Sequence, residues 1–164
     1  MATYTGQNVG AGKFDRIKTG RTAARIITIS VQVGVGLIAF FLRYPLIQLF
    51  GVSGQAEAYG LEYLVTMIPC VILFALNMST LGSLQGAGDV IFTTFMSISG
   101  FVLRVALAYL LGLFTPIGYR MIWLNLPMGW IYSTIVSAIR FYSGKWKTKA
   151  IVKHNEGEES ISEA

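Results

Sequence analysis

The sequence predicts an all-α membrane protein with four transmembrane helices. Three observations carry that expectation. Four apolar stretches, from about Ile26 to Leu42, Tyr63 to Leu84, Val90 to Phe114 and Met121 to Ile139, fill most of the 164 residues. A helix needs roughly 20 mostly apolar residues to cross the hydrocarbon core of a bilayer. Hydrophobic residues make up 54 % of the chain and charged residues 13 %, with a mean hydropathy of +0.59. Soluble domains carry about twice that charged fraction, so this chain lacks the polar groups to cover a surface facing water. Finally, basic residues gather just before the first stretch and just after the last.

Residues 1–25 are polar, basic and rich in glycine, and without an early apolar core they are expected to carry no cleavable signal peptide. The first span, IITISVQVGVGLIAFFL, ends at Arg43, Tyr44 and Pro45, residue types suited to an interface and a break. The short PLIQLFGVSG segment leads to Glu57 and Glu62. The second span is uncharged from Tyr63 to Gly88 and contains Pro69 and Asn77. A membrane helix tolerates an internal proline when neighbouring groups satisfy the freed carbonyl. The third span holds Arg104, and the fourth, after Gly118-Tyr119-Arg120, holds Asn125 and Pro127. Short loops predict that consecutive spans are antiparallel neighbours. Gly82 with Gly86, and Ser30 with Gly34, are spaced to let helix backbones approach closely.

Lysine and arginine set the orientation. Lys13, Arg16, Lys18, Arg21 and Arg25 precede the first span, and Arg140, Lys145, Lys147, Lys149 and Lys153 follow the last. Four spans put these flanks on one side, opposite Arg43 and Arg120, so both termini are predicted cytoplasmic. Topology accounts for the net charge of +5 better than a nucleic-acid partner would. Tyr44, Tyr59, Tyr63 and Tyr119 are placed at the outer interface, Tyr142 and Trp146 at the inner one. The acidic tail after His154 has the composition of a disordered segment. The expected domains are therefore a cytoplasmic glycine-rich basic segment (1–25), a four-helix transmembrane domain (26–142) and a basic, then acidic, disordered tail (143–164).

Individual polar residues in the spans have competing roles. Arg104 either snorkels to the interface or lines a cavity, because a charged side chain near the bilayer centre usually faces a bundle interior or water. Gln32, Asn77 and Asn125 either hydrogen-bond between helices or join Arg104 in lining a transport cavity. Cys70 is expected to be a buried apolar side chain, and Met67, Met78, Met96 and Met128 to fill packing space. No metal ligand set and no cofactor are implied.

Two cytoplasmic segments are rich in glycine. Gly6-Gln7-Asn8-Val9-Gly10-Ala11-Gly12-Lys13 fails the phosphate-binding P-loop pattern, because Lys13 is followed by Phe14 and the required earlier glycine is Gln7. It also fails GxGxxG. In Leu84-Gln85-Gly86-Ala87-Gly88-Asp89, Gly88 is expected to close one helix and Asp89 to N-cap the next. These two motifs resemble the loops of MATE multidrug and toxin extrusion transporters, at Gly6, Gln7, Asn8, Gly10 and Gly12, then Gln85, Gly86, Gly88 and Asp89. Trp123-Leu124-Asn125-Leu126-Pro127-Met128-Gly129-Trp130, with Gly144-Lys145-Trp146-Lys147 after it, is similar to the end of that family's last helix. The resemblance runs from Ala2 to about Lys149.

The resemblance implies a partial twelve-helix, two-lobe fold, with these spans as helices nine to twelve of the second lobe. It implies export of drug-like or cationic small molecules in exchange for Na+ or H+, from the plasma membrane, without bond chemistry. Partners implied are membrane lipid and the missing N-terminal lobe or another transporter chain. A start at Met1, beside the end of a family helix, suggests truncation or an internal start. The family's coupling carboxylates lie in the first lobe or in helices seven and ten. The span matching helix ten has no Asp or Glu between Tyr63 and Gly88, and Glu62 sits at its mouth. No cation site carries over, and the chain is expected to be incompetent alone. A lipid-linked substrate flippase of the same superfamily and a non-transporting truncated membrane protein are the alternatives.

Overall fold

The computed structural model of the protein describes residues 1–149. The tail predicted to be disordered beyond that point, with His154, lies outside the described residues. The chain forms α1 (Ala2–Gly10), α2 (Phe14–Phe41), α3 (Arg43–Leu49), α4 (Gln55–Gly86), α5 (Val90–Phe114), a 3-10 turn (Gly118–Arg120), α6 (Met121–Tyr142) and a closing 3-10 turn (Lys145–Lys149), with no strand among the described residues. Four of these helices are long and apolar enough to cross a membrane. At 28 and 32 residues, α2 and α4 run about 42 and 48 Å, well beyond the hydrocarbon thickness. The basic stretch from Phe14 to Arg25 is the helical beginning of α2, continuous with the first apolar span.

Both glycine motifs end a helix by one device. Gly12 and Gly88 adopt left-handed φ angles of 69° and 90°, which glycine reaches without a Cβ clash. The residue after each donates its N–H five positions back: Lys13 to the Asn8 carbonyl at 2.8 Å and Asp89 to the Leu84 carbonyl at 3.0 Å. That is the Schellman closure, which satisfies carbonyls the helix end would otherwise orphan. The shared Gly-Ala-Gly at Gly10–Gly12 and Gly86–Gly88 is the sequence of that turn.

The membrane helices pack in the spatial order α2, α4, α6, α5. The expectation of neighbours in chain order holds for α2 with α4 and for α5 with α6. It is corrected for α4 and α5, which touch only slightly because α6 lies between them. The cause is legible on α6, where Asn125, Gly129, Ser133 and Ser137 recur every four residues and are buried or nearly so. Small residues on one helix face let two neighbours close in on it. Outward faces are strongly apolar: Ile26, Ile27, Ile38, Phe41, Ile91 and Ile139 are all more than 60 % exposed. Hydrocarbon, unlike water, solvates such side chains without penalty.

The two small-residue pairs behave differently. Gly86 sits against the backbone of Ala2, where a Cβ would overlap the Ala2 carbonyl group, and Gly82 faces Met1 and Ala2. Gly6 in turn approaches the Gly86 carbonyl. Thus α1 docks on the end of α4 through glycine. Ser30 and Gly34 are a correction: both are exposed, and nothing lies near a Cβ at Gly34. Helical phase explains it, since Arg25, Gln32 and Gly36 turn toward α4, and Gly36 is the residue that meets Ile68.

Gly86→Ala should therefore cost about 1–3 kcal/mol through overpacking, while Gly34→Ala should be neutral or slightly stabilising. Unfolding in detergent micelles, followed by helical circular dichroism, checks this; equal midpoints for the two variants would contradict the docking of α1.

Candidate functional site

Two polar regions stand out within the bundle. The first is a crevice of about 160 Å³ between α4 and α5, floored by α6. Asn77 reaches it from α4, Arg104 from α5, and Trp130 and Ser133 from α6. Gly129 makes room for the stem of Arg104, because a Cβ there would overlap its Cγ. The guanidinium carbon lies 5.9 Å from the Phe101 ring centroid. Arg104 makes no hydrogen bond or ion pair among the described residues. Asn77 is 3 % exposed and its amide nitrogen has no hydrogen-bond partner. Phe74 and Trp130 form one wall, with ring centroids 5.3 Å apart.

Arg104 and Asn77 thus share one crevice, and the other two candidates lie elsewhere. Gln32 faces an apolar groove between α2 and α4, beside Phe40 and Pro69. Asn125 is buried and donates its amide to the Met121 and Ile122 carbonyls at 2.8 and 2.7 Å. It serves its own helix near Pro127 rather than bridging to a neighbour.

The second region is the end where α1, the beginning of α2, the α4–α5 turn and the end of α6 meet. Asp89 occupies the position before α5 but makes no side-chain cap there, which corrects its expected N-cap role. Its carboxylate instead accepts from Arg140 Nε at 2.7 Å and Nη2 at 3.2 Å, a bidentate pair with Asp89 almost fully buried. A fork of two charge-assisted bonds outweighs one backbone N–H. Arg21 is also buried. Its guanidinium lies 3.7 Å from the Phe141 ring centroid and donates to the Tyr142 hydroxyl at 3.1 Å. Arg25 donates to Thr80 at 2.9 Å. Around these, Val9, Ile17, Leu84, Ala87, Phe141 and Trp146 form an apolar cluster. Trp146 stacks on Phe141 at 5.3 Å and donates its indole N–H to the Phe141 carbonyl at 2.8 Å.

Asn8 donates to the Tyr4 carbonyl within α1 at 2.8 Å, and Gln7, Gly10 and Gln85 are exposed. The opposite end of the bundle carries Glu62, which pairs with Arg120 and accepts from Tyr119, beside the ring contacts of Tyr59 and Trp123 with Tyr119. No group of His, Cys, Asp and Glu able to hold a metal occurs among the described residues. Sequence reasoning missed Arg21, which looks like any other basic flank residue, and the Phe74–Trp130 wall. The four-residue recurrence on α6 was the available signal for the crevice floor.

These features define a multi-pass helical membrane protein with a polar crevice inside its bundle. The chain belongs to the MatE family, whose sequence profile matches residues 1–110. It is 24 % identical over 157 residues to the "Probable multidrug resistance protein NorM" of Thermotoga maritima, a match covering 93 % of this chain and 33 % of that protein. It is also 24 % identical over 130 residues to "Protein DETOXIFICATION 39" of Arabidopsis thaliana, covering 79 % of this chain and 25 % of that one. The chain thus spans a third or less of the length of the relatives it matches. No solved structure matches it.

Asp89→Asn should destabilise the bundle by about 3 kcal/mol, because it strands Arg140 beside a buried neutral amide. Glu62→Gln, at a half-exposed pair, should cost under about 1 kcal/mol. Unfolding free energies from sodium dodecyl sulfate titration measure both, and comparable costs would contradict the difference in burial.

Proposed function

We propose that this chain is part of a MATE-type secondary antiporter that exports drugs or other xenobiotics in exchange for Na+ or H+, and that it is not competent alone. The observation that carries this reading is the match to a multidrug resistance protein along 93 % of this chain but only 33 % of the relative. Absent coupling groups support the second half: α4 has no acidic residue after Glu62, and α5 and α6 have none. A carboxylate that both drug and ion sense is the usual coupling group, and α4 beyond Glu62, α5 and α6 carry none. The chain has no enzymatic role in this reading.

We place the protein in the plasma membrane with both termini cytoplasmic. The support is charge: eight of the Lys and Arg side chains described at the bundle ends, from Lys13 to Arg25 and from Arg140 to Lys147, lie at the end of the Asp89–Arg140 pair. Only Arg43 and Arg120 lie at the other end. The segments 1–25, 26–142 and 143–164 then act as inner basic segment, membrane domain and inner tail. Gln32, in its groove between α2 and α4, and Asn125, within α6, are candidates for contact with cargo in addition to Asn77 and Arg104. Rocking of helix bundles around a site near the midplane is the common scheme for such transporters, and the glycine turns at Gly12 and Gly88 are suitable pivots.

Cells lacking their own efflux pumps and expressing this chain should retain ethidium like a vector control. A polypeptide that adds the upstream helices, if an open frame encodes them, should clear the dye, and a proton or sodium ionophore should stop it. Gradient-dependent efflux by the 164-residue chain alone would overturn its incompetence. Retention by the longer polypeptide would contradict the export reading.

A further inference from the structure

We propose that the crevice between α4 and α5 binds the carboxylate of a flat aromatic anion. The inference rests on the transport reading and narrows the cargo to one chemical class. The crevice has donors and no carboxylate among its lining residues. Arg104 brings up to five N–H donors and makes no hydrogen bond or ion pair among the described residues. Asn77, 3 % exposed, lines the same site, and its buried amide nitrogen has no hydrogen-bond partner. No Asp or Glu occurs on α5 or α6, and α4 has none beyond Glu62, which is engaged with Arg120 at the far end. A half-buried cation within an apolar bundle, as Arg104 is, recruits an opposite charge and gains most from a bidentate carboxylate.

The apolar wall specifies the rest of the ligand. Phe74 and Trp130 present rings 5.3 Å apart, and Met96 adds a polarisable side chain that adapts to flat ligands. The volume of about 160 Å³ compares with the roughly 150 Å³ that holds one benzene ring in an apolar cavity. Gly129 makes room for the arginine stem, and Arg104 lines the crevice together with Phe74 and Trp130. One aromatic ring against Trp130, with its carboxylate on Arg104 and Asn77, uses every one of these groups.

The test uses heavy-atom quenching of Trp130 in the full chain reconstituted in lipid nanodiscs. Three probes share one ring: 4-iodobenzoate, 4-iodobenzamide and 4-iodobenzylammonium. The benzoate should half-saturate quenching at a concentration about ten-fold below the other two, the gain of a charge-assisted pair. Trp130→Phe should remove the saturable component, Arg104→Gln should abolish the preference, and Arg104→Lys should keep part of it. Should Arg104→Gln fail to fold by circular dichroism, Asn77→Ala provides the second variant, with benzoate binding expected to weaken several-fold. Equal binding of the three probes, preference for the ammonium, or an unchanged preference in Arg104→Gln would overturn the proposal. So would absence of saturable quenching, the result expected if another carboxylate of the protein already occupies Arg104. Each of these leaves the export reading standing, because that reading is judged by dye efflux and not by binding.

Discussion

A buried carboxylate at one end of the bundle organises the rest of the molecule. Asp89 lies in the turn between α4 and α5, with its oxygens gripped by Arg140 from the end of α6. An ionised carboxylate cannot be left alone at such a site, since removing it from water costs several kcal/mol unless a partner and hydrogen bonds repay it. The pair therefore fixes where α6 ends relative to the α4–α5 turn. Arg21 adds α2 through the Phe141 and Tyr142 rings, and Trp146 covers the cluster by stacking on Phe141. The beginnings of α1 and α2, the α4–α5 turn and the end of α6 meet in one clasp. At the other end, Glu62 and Arg120 pair in a half-exposed setting with far less leverage.

From that clasp the helices diverge. With α6 seated between α4 and α5, these two separate and leave the crevice that Arg104 and Asn77 share. In a bilayer the usual inside-out accounting is reversed: large apolar side chains face lipid, and small or polar ones face other helices, because apolar contact is no better inside than outside. Gly129, Ser133 and Ser137 on α6 and Thr80 and Ser83 on α4 follow that rule. Arg104 is the exception in charge, with its stem packed against Gly129.

The sequence carried the long-range plan better than the contacts. Span length and the basic flanks were enough to give four membrane helices with both ends of the described chain at one end of the bundle, because length and charge are properties of single segments. The Gly-Ala-Gly turns were also legible, since only glycine takes the left-handed φ at Gly12 and Gly88 without strain. Contacts between segments were not. Asp89 looked like a helix cap until Arg140, far away in sequence, competed for its carboxylate. Ser30 and Gly34 had the right spacing but the wrong phase on α2, and spacing alone does not reveal which face meets a neighbour. The order of α4, α6 and α5 depended on a stripe of small residues whose partner the sequence does not name. At the crevice, the polar types were visible in Asn77 and Arg104, but their convergence, and the detours of Gln32 and Asn125, needed three dimensions.

The clasp at the Asp89 end holds the bundle, while the opposite end is looser. Amide hydrogen exchange of the chain in nanodiscs, resolved by peptide mass spectrometry, tests this most directly. The turns outside the membrane should divide by end: amides of Leu84–Asp89 and Phe141–Trp146 should exchange slowly and together, and those of Gly51–Gln55 and Thr115–Gly118 should exchange quickly. Fast exchange at the Asp89 turn, or equal protection of the two ends, would contradict the claim.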